Sequence, residues 1–212
     1  MNYFKGGIFL LLAVWLLMAC NRQPDRKGEQ QLQDGIIQQQ LPAGSGNPYE
    51  PVDISPMDMS YFPVHYSLRK LAGKITTPPV MRVIYSRPHL QGRSLFGGVL
   101  KYDEPWRLGA NEATELDVFH PIFLDNKKIE PGRYTLYAIP HEKSWTFVLN
   151  SSLDDWGLKQ DSTKDLQRVT VPVTQGNPRA EYFTMVFRRT DQGADLLVAW
   201  DEQLAKIPFV IK

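Results

Sequence analysis

The segment Tyr85–Thr114, YSRPHLQGRSLFGGVLKYDEPWRLGANEAT, concentrates the side chains best able to recognise another molecule. Arg87, Arg93 and Arg107 carry guanidinium forks, which grip a carboxylate or phosphate in bidentate fashion or satisfy several loop carbonyls. Asn111 offers both a donor and an acceptor, Glu112 offers acceptors, and Trp106 offers a stacking face. Two readings of this cluster compete. In the structural one, Arg87 or Arg107 is an internal brace paired with Glu112 or Glu104, while Trp106 and Phe96 plug the core. In the functional one, the cluster opens to solvent as a pocket for a small anionic or sugar-like ligand. Its candidate residues are then Arg87, Arg93, Trp106, Arg107, Asn111 and Glu112, with Arg93, Asn111 and Glu112 foremost.

Catalytic patterns are sparse elsewhere. His65, His89, His120 and His141 form neither HExxH nor a close HxH pair, and Cys20 is the single cysteine, so the spacing implies no metal site. Asp154, Asp155, Asp161 and Asp165 do not follow the calcium-loop pattern. Serines 86, 94, 144, 151 and 152 lack a nucleophile elbow, and Gly97-Gly98 falls far short of a phosphate-binding loop. Asp103, Glu104, Glu112 and Glu115 could pair for glycoside hydrolysis if two of them faced one cleft at a catalytic separation. These residues favour a binding or scaffold module, with no cofactor implied. The alternative is a hydrolase acting on a cell-envelope or glycan substrate through an acidic or histidine-containing cleft.

The elements that must position these residues repeat with a period of two, the signature of strands with one buried face. Met81, Val83 and Tyr85 share a face, as do Leu116 and Val118, then Tyr134, Leu136 and Ala138. Trp145, Phe147 and Leu149 follow, then Val169, Val171 and Val173, and Phe183, Met185 and Phe187. Leu196, Val198 and Trp200 make another set, and Ile207, Phe209 and Ile211 close the series. With Val64–Leu68 this predicts nine or ten strands. Asp125-Asn126, Pro131-Gly132, Gly176-Asn177-Pro178 and Asp191-Gln192-Gly193 read as turns. No long amphipathic helix separates the strands, so the sheets are predominantly antiparallel. The fold class is all-β, a sandwich in preference to a closed barrel, with Tyr85–Thr114 as a long organised loop. Ser152–Leu158 reads as one helical turn capped by Ser152, with Trp156 packing it onto a sheet edge.

Ahead of that domain, Lys5 and the apolar run Ile8–Met18 resemble a secretory leader, too short to be a permanent span. Leu17-Met18-Ala19-Cys20 resembles a bacterial lipobox, in which cleavage before Cys20 frees a thiol for acylation. Residues 1–19 are thus expected to be a signal peptide. Residues 20–57 are the lipidated cysteine and a flexible tether rich in Gln, Gly and Pro, with a transient helical turn around Gln30–Gln40. Residues 58–212 are the β domain. The bilayer, through acylated Cys20, is one expected partner; a small ligand or an envelope protein is another. The chain carries 24 Lys and Arg against 23 Asp and Glu, and loss of Lys5 with the leader makes the charges equal. No basic stripe supports nucleic-acid binding.

The segments YSRP (Tyr85–Pro88), GRxxFGG (Gly92–Gly98), YxxxWRxGANEAT (Tyr102–Thr114), PGxYxLxAIP (Pro131–Pro140) and WTFVLN (Trp145–Asn150) resemble the DUF2911 family, common as exported proteins in Bacteroidota. Leu108 replaces the Thr expected before GANEA, and Leu100-Lys101 replaces a Val-Pro pair. The resemblance implies an exported β-rich domain in the cell envelope and favours the outer membrane of a Gram-negative bacterium. It implies no enzymatic activity.

Overall fold

The computed structural model describes residues 53–212. The leader, Cys20 and most of the tether, including Gln30–Gln40, lie outside the described residues. Ten strands form two antiparallel sheets. The first has the order β1 (Met57–Phe62), β2 (Met81–Ser86), β3 (Glu115–Val118), β6 (Gly132–Pro140), β7 (Ser144–Asn150), β8 (Asp165–Pro172). The second has the order β5 (Lys127–Ile129), β4 (Ile122–Leu124), β10 (Gly193–Val210), β9 (Thr174–Thr190). Neither sheet closes on itself, so the architecture is the expected sandwich.

Alternation explains the pairing. Met81, Val83 and Tyr85 in β2 are buried, and Arg82 and Ile84 face the other way. Asp125 and Asn126 both adopt left-handed backbone, which fits the two-residue connection joining β4 to β5. Asp191 and Gln192 turn the chain from β9 into β10, with Thr190 opposite Gly193.

Strands β1, β4 and β5 are not among those expected from alternation, and four further local expectations need correction. Val64–Leu68 is not a strand: the chain forms a short helix, α1 (Tyr66–Leu71). Only Tyr66 of α1 is buried, stacked on Tyr61 with its hydroxyl donating to the Thr77 carbonyl at 2.8 Å. Residues 67–71 are all exposed, so no sheet was available to reward a period of two. Gly176-Asn177-Pro178 is not a turn between strands but lies inside β9, where the register steps from Asp201↔Ala180 to Gln203↔Gln175. The extra residues form a bulge.

That bulge accounts for the third correction. The sets 194–200 and 205–209 belong to one strand, β10. Ala194, Leu196, Val198 and Trp200 are buried at even positions, whereas Ala205, Ile207 and Phe209 are buried at odd ones. A period of two cannot change phase without an extra residue. The shift occurs at Asp201, which is left-handed at φ 55°. The fourth correction concerns Ser152–Leu158. It forms no helix, because Asp154 and Gly157 are left-handed and the Asp155 carboxylate accepts the Gly157 N–H. Trp156 consequently stands 47% exposed instead of covering a sheet edge.

The two sheets meet around aromatic rings. Trp106, from the β2–β3 connection, stacks on Trp200 at 5.5 Å and meets Phe183 edge-on at 4.9 Å and Trp145 at 5.8 Å. Its main chain exchanges hydrogen bonds with Ala138 (2.7 and 2.9 Å), taking a place beside β6 beyond the end of β3. Residues 53–212 form a compact unit, and one continuous buried cluster runs from Phe62 to Phe209. They are expected to fold without the rest of the chain. Urea denaturation of residues 53–212 tests both points: a single cooperative transition, lowered by about 3 kcal/mol in Trp106→Ala. Trp156→Ala should move it by about 0.5 kcal/mol or less.

Candidate functional site

The structure divides the six candidate residues of the loop into two groups. Arg87 joins the sheets: Nη1 donates to Asp58 of β1 at 3.1 Å, Nε to the Phe183 carbonyl at 3.2 Å and Nη2 to Thr184 Oγ1 at 3.1 Å. The Arg93 guanidinium donates to the carbonyls of Leu90 and His89, both at 2.9 Å, and so closes its own loop. Trp106 lies in the aromatic cluster with its Nε1 on the Gly109 carbonyl at 3.2 Å. These three hold the fold. The Arg87 brace is real, but its acidic partner is Asp58 and not Glu112 or Glu104; Glu104 pairs instead with Lys101.

Arg107, Asn111 and Glu112 sit together where the GANEAT segment meets the 151–157 loop. GANEAT is tightly built. Gly109 is left-handed, and a Cβ there would stand 2.9 Å from the Ser86 carbonyl oxygen. Thr114 Oγ1 donates to the Leu108 carbonyl at 2.6 Å, and Leu108 itself is fully buried with left-handed backbone. Asn111 projects from a further left-handed position, and its Nδ2 donates to Asp53. Glu112 is exposed.

The opposing loop is pinned by polar contacts. Ala113 N–H donates to the Asp155 carbonyl at 3.0 Å, and Arg133 bonds Glu115 at 2.7 Å and Asp154 at 3.1 Å. Thr135 Oγ1 donates to the Ser152 carbonyl. Farther along, Asn150 donates to the Asp161 carbonyl at 2.9 Å and to Asp165 at 2.8 Å. Tyr137 donates to the same Asp165, and Arg168 Nη2 bonds it at 2.6 Å.

These contacts present Trp156 to solvent. The Arg107 guanidinium lies 5.9 Å from the Trp156 ring centre, and its Nη1 donates to the Trp156 carbonyl at 3.3 Å. Burial lowers the Arg107 pKa below the ordinary arginine value, and the Glu112 carboxylate opposes that shift. The result is an open aromatic face beside the Arg107 guanidinium, with Glu112 acting on that guanidinium and Asn111 bonded to Asp53. Trp156 was missed as a site residue because its position depends on a loop conformation that no local sequence pattern encodes.

A second polar constellation also escaped the sequence. His141 Nδ1 contacts Asp103, and its Nε2 lies 3.3 Å from Thr146 Oγ1, which in turn lies 2.9 Å from Thr170 Oγ1. Asp103 and His141 are 38 residues apart and meet because Asp103 N–H bonds the Pro140 carbonyl at 2.8 Å. The other histidines differ in surroundings: His89 stacks on Tyr182 at 5.0 Å, and His65 and His120 are exposed. Among the described residues, no three His, Cys, Asp or Glu side chains converge as a metal site.

The pattern of buried and motif residues agrees with one comparison, in which residues 69–209 match a family described as a protein of unknown function, DUF2911. The chain belongs to the DUF2911 family. No curated protein and no solved structure matches it. The DUF2911 match takes in Arg107, Asn111, Glu112 and Trp156, while β1 and Asp53 precede it.

Two buried phenols make the stability of the fold pH-dependent. Tyr85 accepts the Met185 N–H at 3.0 Å, and burial pushes it up to about 12. Tyr137 is pushed up to about 12 first by burial and then by its hydrogen bond to Asp165. In the unfolded chain both ionise near pH 10. The contribution of the two neutral phenols to stability is therefore fully present below about pH 10 and is lost as pH rises toward about 12, each accounting for on the order of 2 kcal/mol. Melting temperatures across this interval should fall steeply, and Tyr137→Phe should make the decline shallower.

Proposed function

We propose that this chain is a cell-envelope lipoprotein, anchored through acylated Cys20, whose DUF2911 domain binds a carbohydrate-like ligand at Trp156. The exposed Trp156 face beside the Arg107 guanidinium carries this reading. An indole face packs against the C–H surface of a sugar ring, and side-chain amides and carboxylates satisfy its hydroxyls. Arg107 and Asn111 complete such a set. Only one candidate arginine, Arg107, remains at the patch and Glu112 offsets its charge, which favours a neutral polyol over the small anion that the arginine count suggested. Arg87 and Arg93, each spent on contacts within the protein, are left out of the ligand set.

For localisation, the apolar leader ending at Ala19-Cys20 supports envelope anchoring, and the family resemblance supports the outer membrane of a Gram-negative bacterium. Among the described residues no helix is long and apolar enough to cross a membrane. The anchoring predicts a mature protein that starts at a lipid-modified Cys20.

A second reading, a hydrolase, rests on His141. Oriented by Asp103, its imidazole would take the proton of Thr146 Oγ1 as a general base. Binding takes precedence because Thr146 lies in mid-strand, with β7 paired to both β6 and β8. Main-chain N–H groups engaged in those ladders are not aimed at an oxyanion.

A screen of neutral oligosaccharides against residues 53–212, followed by tryptophan fluorescence and calorimetry, tests the binding reading. Trp156→Ala should abolish binding, and Glu112→Gln should weaken it about tenfold. Arg93→Ala should have little effect. A binder indifferent to Trp156→Ala would place the site elsewhere. The hydrolase reading requires turnover of an ester or glycoside that disappears in His141→Ala while the fold persists.

A further inference from the structure

We propose that α1 and the adjoining edge of β1 form a docking surface for an anionic lipid bilayer. The inference goes beyond anchoring at Cys20, because this surface needs no acyl chain. From Met59 to Tyr102 the chain contains no Asp or Glu but seven Lys and Arg. Four of the seven are committed elsewhere: Arg82 to Asp117, Arg87 to Asp58, Lys101 to Glu104 and Arg93 to loop carbonyls. The other three, Arg69, Lys70 and Lys74, cluster in and just after α1, are exposed, and form no ion pair among the described residues.

Beside these cations lie apolar side chains that the fold leaves uncovered. Leu71 is 86% exposed, Leu68 67% and Met59 49%. Leu68 and Leu71 are three residues apart and share one side of α1. Leu68, Met59 and Val186 also line a single open groove of about 280 Å³, where the edge strands β1 and β9 approach one another. Apolar side chains flanked by uncompensated cations suit the headgroup region of an anionic leaflet. There the leucines enter the acyl boundary and the lysine stems keep their charges among the phosphates.

The position of the surface fits a tethered protein. β2 runs from Met81, beside the α1 end of β1, to Ser86, beside Gly109 of the GANEAT segment. Docking through α1 therefore turns the Trp156 patch away from the bilayer, at the far end of strands about 17 Å long. The 32 residues between Cys20 and Asp53 are long enough in chain length to return along that distance.

Sedimentation of residues 53–212 with vesicles tests this independently of acylation and of sugar binding. The expected result is binding to vesicles containing phosphatidylglycerol but not to pure phosphatidylcholine, weakening as salt is raised. Lys70→Gln and Lys74→Gln should each reduce binding about fivefold. Leu68→Ser with Leu71→Ser should abolish it, and Trp156→Ala should leave it unchanged. Equal binding to both vesicle types, binding to neither, or full retention in the leucine double variant would overturn the proposal. So would a dimer of residues 53–212 that the same double variant converts to monomer, since a second copy would then be the occupant.

Discussion

The contact of Trp106 with rings from both sheets is the constraint on which the remaining structure depends. Trp145 belongs to the first sheet and Phe183 and Trp200 to the second, yet the residue packed among them comes from a connection outside either ladder. Stacked and edge-on rings provide attraction beyond the area they bury. The paired main-chain bonds to Ala138 then fix where the connection runs. Once Trp106 is seated, Arg107 follows immediately at the surface, and GANEAT must turn back within a few residues to enter β3. The left-handed positions at Leu108, Gly109 and Asn111 are the backbone consequence of that short return.

The same constraint separates architecture from recognition inside one motif. Buried or braced members of Tyr85–Thr114 hold the sheets together: Arg87 ties β1 to β9, Leu108 fills the interior, and Thr114 holds the turn. At the rim, Asn111 takes its partner from Asp53, and Glu112 acts on Arg107, which lies against Trp156 of the 151–157 loop. The densest cluster of functional residue types in the sequence is therefore largely structural. Its outer rim meets the exposed Trp156 only through a segment distant along the chain.

Phase shifts in the long strands are equally consequential. The bulge between β9 and β10 lets one continuous strand bury even positions in its first half and odd positions in its second. Without it, Ala205 would face solvent, and so would the large Ile207 and Phe209. The cost of exposing such side chains, about 1.5–3 kcal/mol each, makes the register change obligatory.

Much of the frame was legible in the residues themselves. Alternation located β2, β3 and β6 to β10 because burial on one face imposes a period of two, but not β1 or the three-residue β4 and β5, which are too short to show it; Asp125-Asn126 and Asp191-Gln192-Gly193 marked their turns through local backbone preference. The same local rules erred where tertiary contacts outweighed them: Val64–Leu68 had no sheet to join, Gly176-Asn177-Pro178 was absorbed into a bulge, and Ser152–Leu158 was held open by Asp155 and its neighbours. The Trp156 patch and the Asp103–His141 pair were beyond sequence reading altogether. Each joins residues tens of positions apart, and only the packing of two sheets determines which of those distant side chains come within a few ångströms.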